Sequence, residues 1–255
     1  SRQQLLEKPP ALSWEDAASY GLTYYTTFRM LVDRAELQPG EDVLIWGGAG
    51  GLGVFAIQLV KAMGGRGIAV VSNEEKGQLA KELGAYGVID RREFSGLQYR
   101  PDETPEQEKA RMKVTKAFGK RIWEILGERK GPDVVFEHVG RSTFPASVFL
   151  ANHFGRIVIC GATTGYQLTF DVRHLWMHQK RIIGSHFADA DSARRANRLI
   201  HQGLVKPVMT KLFQWDELGE AHQLMYENKL HGTVSCLVGA ERAGLKTLRE
   251  STEAA

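Results

Sequence analysis

Two cysteines are all that 255 residues contain, Cys160 and Cys236. A structural zinc site built from four thiolates is therefore excluded. Both cysteines lie in apolar runs and are expected to be buried free thiols, for which a reducing cytoplasm is the natural compartment. No run approaches the ~20 apolar residues that a membrane-spanning helix needs. No charge of one sign dominates: 33 Lys and Arg stand against 30 Asp and Glu, a net charge of +3. The cations are interleaved with acids rather than gathered on one stripe, which argues against a nucleic-acid partner. Internal repeats and low-complexity tracts are absent. The opening Ser1-Arg2-Gln3-Gln4 has neither an initiator Met nor a signal-peptide pattern, so the chain reads as the middle of a longer protein. At 43% hydrophobic and 25% charged, what is left is an ordinary globular composition, long enough for one large domain or two smaller ones.

The order of the segments is more informative. A helix is expected over 14–31, with Ser13 as N-cap, Glu15 and Asp16 in its first turn and Gly21 as a break. Pro39-Gly40 makes a turn. Short apolar strands are expected at 43–46, 68–71, 88–89, 134–136, 156–160 and 181–184. Helices are expected between them at 54–63, 76–83, 121–126, 144–150 and 170–179, and another follows at 192–201. Residues 91–120 break the rhythm. They are charged, carry Pro101 and Pro105, and read as a solvated, partly helical insertion. Strands alternating with helices at this spacing imply βαβ units, a parallel sheet and helices on both faces, that is, a doubly wound α/β (Rossmann) domain. A strand–helix–strand appendage is expected after it, at 207–213, 216–226 and 233–238.

The strongest local signal is Trp46-Gly47-Gly48-Ala49-Gly50-Gly51-Leu52-Gly53, which contains Gly-x-Gly-x-x-Gly at Gly48, Gly50 and Gly53. A buried strand leads in and an apolar helix leads out, the context in which this pattern binds a dinucleotide. Gly48 is assigned to the tight turn, Gly50 to close approach of a pyrophosphate, and Gly53 to helix–strand packing. The helix mouth adds unpaired N–H groups and a partial positive charge. A nucleoside-triphosphate loop would end Gly-Lys-Ser/Thr, which this one does not. The second strand ends Val70-Val71-Ser72-Asn73, where an NAD site wants Asp or Glu. Ser72 and Lys76 suit a 2′-phosphate and favour NADPH. Nearby Glu74 and Glu75 pull the other way, and Ser72 could instead cap the next helix. His174 and His178, one helical turn apart, could pair on a metal, but no third ligand is evident and an exposed helix face is the expectation.

Several stretches resemble a known family. Gly21-Leu22-Thr23-Tyr24, the Gly48–Gly53 loop, and Leu83-Gly84-Ala85 with Ile89-Asp90 are similar to the quinone and enoyl reductase branch of the medium-chain dehydrogenase/reductase superfamily. Phe136-Glu137-His138-Val139-Gly140-Arg141, Phe144-Pro145-Ala146-Ser147-Val148, and Leu175-Trp176-Met177 leading to Gly184-Ser185-His186-Phe187-Ala188 resemble crotonyl-CoA carboxylase/reductases, as does the insertion after Asp90. The resemblance runs from about residue 10 to 238. It implies that NADPH gives hydride to the β-carbon of an α,β-unsaturated acyl-CoA and that the enolate attacks carbon dioxide, forming an alkylmalonyl-CoA without biotin, metal or ATP. His186 matches the family histidine that helps hold carbon dioxide. The loops His138-Val139-Gly140 and Gly161-Ala162-Thr163, together with Thr23 and Phe187, are implied to line the nicotinamide and ribose.

Departures from the family are also legible. Most of the catalytic domain that precedes the cofactor domain is missing, and with it an acid and an amide around carbon dioxide. Residues 1–13 read as its remnant, 14–204 as the NADP-binding domain, and 205–255 as a segment returning to it. The remainder is then either a longer native chain or a separate polypeptide. Where the family has Gly-Lys-Val near the last strand, this chain has Gly232-Thr233-Val234, expected to change only a surface contact. The likeness also suggests homodimers or homotetramers. Two other functions compete: a plain enoyl-CoA or quinone reductase whose enolate takes a proton, and an NADPH-binding domain inactive on its own.

Overall fold

In the computed structural model, residues 5–240 and 243–247 are described. Ser13 caps the first helix, α1 (Trp14–Tyr20), by accepting the Asp16 N–H. As expected, Gly21 separates it from α2 (Thr23–Phe28), which widens into a π-helical turn at Arg29–Arg34. Then β1 (Asp42–Ile45), α3 (Gly53–Ala62), β2 (Arg66–Val71), α4 (Glu74–Glu82) and β3 (Gly87–Asp90) alternate. They are followed by α5 (Pro105–Leu126), β4 (Val134–Glu137), α6 (Phe144–Leu150), β5 (Arg156–Ile159), the single turn α7 (Arg173–Trp176), β6 (Arg181–Gly184) and α8 (Ala190–His201). Six strands pair in the order β3-β2-β1-β4-β5-β6, and every pairing is parallel. This is the expected doubly wound sheet. Its chain order reverses between β1 and β4, and that crevice is where such sheets bind ligands.

Each face of the sheet has its own core. On one, Val43, Ile45 and Val71 meet Phe55, Leu59 and Ala196 from α3 and α8. On the other, Leu44, Ile68 and Val135 meet Phe118, Ile122 and Phe144 from α5 and α6. Helix α3 is buried from Gly53 through Val60, the pattern of a helix enclosed on all sides. Each fully buried Phe55, Ile57 or Leu59 contributes about 1.5–3 kcal/mol of transfer free energy. Tyr20 and Tyr24 draw the first helices onto α8, donating to Asn197 Oδ1 at 2.9 Å and to the Ala196 carbonyl at 3.1 Å.

Two expectations are revised. The segment read as a solvated, partly helical insertion is helical from Pro105 and runs without a break into the helix expected at 121–126, so that α5 is one 22-residue helix with a capping box at Thr104 and Gln107 and Pro in its first turn. Its buried stripe begins with Arg111 and Thr115 before reaching Phe118 and Ile122. Polar residues fill its first two positions, which hides the helical period. Arg111 is tolerated there because Glu103 pairs with it at 2.8 Å and its guanidinium lies over Tyr99. The helix expected over 170–179 shrinks to α7. Leu168 and Phe170 alternate inward to the core in extended chain, and the Asp171 carboxylate then starts the turn by accepting the Arg173 N–H.

The C-terminal part forms β7 (Met209–Gln214), a 3-10 turn (Trp215–Glu217), α9 (Leu218–Tyr226) and β8 (Thr233–Leu237), with β7 and β8 parallel in their own two-stranded sheet. It is tied to the main sheet at several points. Gln58 of α3 exchanges two hydrogen bonds with the Lys206 backbone, Ser235 donates to the Glu15 carbonyl, and the Gly232 N–H donates to the Ala49 carbonyl at 2.8 Å. The Gly232-Thr233 departure is therefore no surface matter. Thr233 is 8% exposed, and its hydroxyl donates to the Val208 carbonyl.

Two predictions follow from this packing. A Cβ on Gly53 would stand 2.2 Å from the Gly47 oxygen, whereas one on Gly219 in α9 would meet nothing within 4 Å. Gly53→Ala is expected to cost roughly 1–3 kcal/mol in urea denaturation and Gly219→Ala nothing. Equal stabilities would show that the turn tolerates a side chain. Lys180 is buried and donates to the Val148 and Phe149 carbonyls, and burial pushes it down from 10.5 to about 8. Between those values the unfolded chain holds a proton that the folded chain has released, so this group's contribution to stability rises with pH. The stability of the wild type relative to Lys180→Met is expected to rise from pH 8 to 10; a constant difference would refute the shift.

Candidate cofactor site

Strand β1 ends at Ile45, and the chain turns through Trp46–Leu52 into α3. The left-handed residue in this turn is Gly47, at φ +62°, rather than Gly48 as the motif suggests. Its carbonyl accepts the Gly50 N–H at 2.8 Å. Gly48 is needed for a different reason: a Cβ there would lie 2.6 Å from the Ala69 Cβ on β2. Around Gly50, the nearest atom to an added Cβ is the Gly47 oxygen at 3.3 Å. Gly51 sits against the Thr23 methyl and the Gly232 carbonyl. Ala49 and Gly50 line a cavity of about 660 Å³, while Gly48, Leu52 and Gly53 form the turn and helix start behind it. The ten-residue α3 begins beside this turn with the positive end of its dipole; in its first turn the Val54 and Ala56 N–H groups already donate to the Gly50 and Leu52 carbonyls.

The cavity runs along the end of β2 past Ser72 and Lys76, and reaches Arg91 and Arg92 after β3. Ser72 does not cap α4; Asn73 does, accepting the Lys76 N–H, so the Ser72 hydroxyl is left for the cavity. Glu74 and Glu75 are exposed in the first turn of α4, and neither lines the cavity. Lys76 is only 9% exposed, and its Nζ lies 3.2 Å from both the carbonyl and Oδ1 of Asn228. Burial, and then repulsion from Arg91, hold the ammonium below its usual range. Lys76, Arg91 and Arg92 line one cavity with Ser72 and make an electrostatic seat for an anion such as a phosphate.

The next loop is organised by a residue the sequence does not single out. Glu137 is fully buried at the end of β4. Its carboxylate accepts the Val139 and Gly140 N–H groups at 2.7 and 3.1 Å and the hydroxyls of Thr143 and Ser147 at 3.0 and 2.6 Å. Trp46 Nε1 donates to the same Ser147 oxygen at 2.8 Å, so the first two edge loops share one polar network. His138 Nε2 lies 2.9 Å from the Trp46 carbonyl. A carbonyl only accepts, so Nε2 carries the hydrogen. His138 and Val139 line the cavity. Gly140, at φ +87°, lies so close to Ala162 that a Cβ would stand 2.6 Å from it, and Gly161 and Thr163 continue that loop. Thr23 Oγ1 is buried without a hydrogen-bond partner beside Gly51, and Thr23 does not line the cavity.

His186 and Phe187 stand apart from this cavity, exposed beyond the end of edge strand β6. Phe187 takes φ +44°. His174 and His178 are not an exposed pair on a helix face. Both are half-buried, His174 against Phe149, and the partner of His178 is His153 at 2.9 Å. Among the described residues no group of three or more His, Cys, Asp or Glu side chains could hold a metal ion, and no helix is long and apolar enough to cross a membrane. Cys160 and Cys236 are free and half-buried rather than fully buried; burial pushes the Cys160 thiol up to about 11. Sequence reasoning misses Gly47, Arg91 and Asn228. A positive-φ glycine is undetectable within a run of glycines, and Arg91 lies in a segment read as solvated. Asn228 has no local signal at all.

The family model of the zinc-binding dehydrogenases matches residues 51–202. The crotonyl-CoA carboxylase/reductase of Cereibacter sphaeroides is 44% identical over 255 residues, which is 99% of this chain and 59% of that protein. A solved crotonyl-CoA carboxylase/reductase superposes with a TM-score of 0.91 at 44% identity, over 98% of this chain and 59% of the other. The 2-octenoyl-CoA carboxylase reductase CinF, solved with NADP and 2-octenoyl-CoA, gives 0.88 at 39% identity over 96% and 54%. The chain thus spans less than two thirds of the length of these relatives. Doubly wound around a glycine turn and matched over most of that sheet, the chain belongs to the zinc-binding dehydrogenase family of the medium-chain dehydrogenase/reductase superfamily, with crotonyl-CoA carboxylase/reductases as close relatives.

Proposed function

We propose that this chain binds NADPH and is the cofactor-binding part of an enzyme that reductively carboxylates an α,β-unsaturated acyl-CoA. One observation carries the reading: a cavity that runs from a glycine turn on a helix mouth past Ser72, Lys76 and Arg91 and on along the segment from Phe94 to Val114. A dinucleotide with an extra phosphate on its ribose has its charges at the first two of those places. The bound cofactor supplies hydride, and the protein orients it and keeps water away. Ala49, Gly50 and the mouth of α3 would hold the pyrophosphate, while Ser72, Lys76 and Arg91 would hold the 2′-phosphate. Val139, Gly140, Gly161, Ala162 and Thr163 would shape the edge toward the nicotinamide. His138, its Nε2 committed to Trp46, offers Nδ1 as an acceptor.

The relatives' names support enoyl-CoA and carbon dioxide as co-substrates of the whole protein. In this reading residues 14–204 form the cofactor domain and 205–255 return to a catalytic domain that precedes it in a longer chain. His186 and Phe187, exposed at the sheet edge, then face the acyl group across that domain boundary. A homodimer or homotetramer in the cytoplasm fits the same reading, and the two free thiols suit a reducing compartment.

Ser72→Asp puts a carboxylate where the 2′-phosphate would sit. Fluorescence titration is expected to show NADPH binding weakened by about tenfold or more and NADH binding retained or improved. An unchanged affinity ratio would remove Ser72 from the phosphate seat. In the longer enzyme, crotonyl-CoA, NADPH and bicarbonate are expected to yield the mass of ethylmalonyl-CoA, and His186→Asn to lower the carboxylated share more than NADPH oxidation. Butyryl-CoA alone under saturating carbon dioxide would establish the plain reductase instead.

A further inference from the structure

Asn228 is brought to the cofactor cavity from the far end of the chain. It follows the last turn of α9, takes φ +55°, and its N–H donates to the Met225 carbonyl. Asparagine is a common left-handed residue at such a helix end. Its side chain, however, does not turn back to the helix. Oδ1 and the main-chain oxygen both accept from Lys76 Nζ at 3.2 Å, across 152 residues of sequence. A lysine ammonium has three hydrogens and a flexible stem. Two acceptors on one residue occupy two hydrogens, fix the stem and leave the third for the cavity that Lys76 and Asn228 both line. The turn is braced against α4 and the glycine loop as well. His231 Nε2 lies 4.0 Å from Glu75, and the Gly232 N–H donates to the Ala49 carbonyl.

We infer that Asn228 is a positioning residue for cofactor choice: it holds the Lys76 ammonium at the seat of the ribose 2′-phosphate, so that the C-terminal unit takes part in discriminating NADPH from NADH. The inference rests on the NADPH reading above and extends it to an element outside the doubly wound sheet. Both acceptors are neutral, so they orient the ammonium without cancelling its charge. A carboxylate in the same place would cancel it. The ordering of Lys76 before ligand arrives lowers the entropy lost on binding.

Two substitutions separate this role from helix capping. Asn228→Gly keeps the left-handed backbone and the main-chain acceptor but deletes Oδ1. Asn228→Asp keeps the shape and adds a negative charge against the ammonium. Both are to be titrated with NADPH and NADH, with thermal unfolding measured in parallel. The glycine variant is expected to keep its unfolding temperature and to bind NADPH roughly two- to fivefold more weakly. The aspartate variant is expected to lose about tenfold or more, and NADH affinity should stay put in both. Equal losses for the two cofactors, or an unchanged ratio in both variants, would make Asn228 a helix terminator only. A wild-type chain with no preference for NADPH would overturn the underlying reading, and that result is seen before any substitution is made.

Discussion

Where β1 gives way to α3, a Cβ on Gly53 would fall 2.2 Å from the Gly47 oxygen and 2.6 Å from the Gly48 Cα. The helix therefore crosses the turn at backbone contact, with no side chain between. That contact places the open end of α3 directly above the carboxyl edge of the sheet. It also requires Gly48 to lie on Ala69 of β2 and Gly47 to take a left-handed conformation. Each of these depends on the others, and the polar mouth of the helix is delivered to the crevice between β1 and β4 only if all hold. The apolar enclosure of α3, buried from Gly53 to Val60, is the force that keeps the helix pressed down.

A second constraint sits beside the first. Glu137 ends β4 with a fully buried carboxylate, a costly placement unless every lone pair is answered. Four donors answer it, two of them main-chain N–H groups of the following loop. The loop His138–Gly140 is therefore built around the charge. Because Ser147 also takes the Trp46 indole hydrogen, the position of that loop is locked to the glycine turn. Two neighbouring stretches of the cavity wall are thus hydrogen-bonded into one network.

The C-terminal unit completes the wall from outside. It contributes Asn228 and Leu230 to the cavity and a main-chain hydrogen bond to Ala49. The glycine turn, the anion seat and this unit thus behave as one assembly of three segments far apart in sequence. Binding chemistry in such a site is set by segments meeting, and loop residues carry it because the sheet holds them still.

Much of this is legible in the sequence. The alternation of short apolar strands with helices dictated a parallel sheet, and its doubly wound order followed from right-handed crossovers. Gly-x-Gly-x-x-Gly after a buried strand located the helix mouth, and the missing acid after Val71 pointed to a phosphorylated ribose. These are local properties, governed by backbone sterics and hydrophobic period. The rest was decided by tertiary contact. The full length of α5 was hidden because Arg111 and Thr115 occupy its buried face, acceptable only once Glu103 and Tyr99 surround the arginine. The importance of Glu137 was invisible because its four donors become neighbours only on folding. Asn228 meets Lys76 across 152 residues, and no window of sequence contains both. Local pattern determined which elements form and where the glycine turn lies; three-dimensional packing alone decided which charged and polar groups face one another across the cavity, because those energies depend on distances that only the folded chain defines.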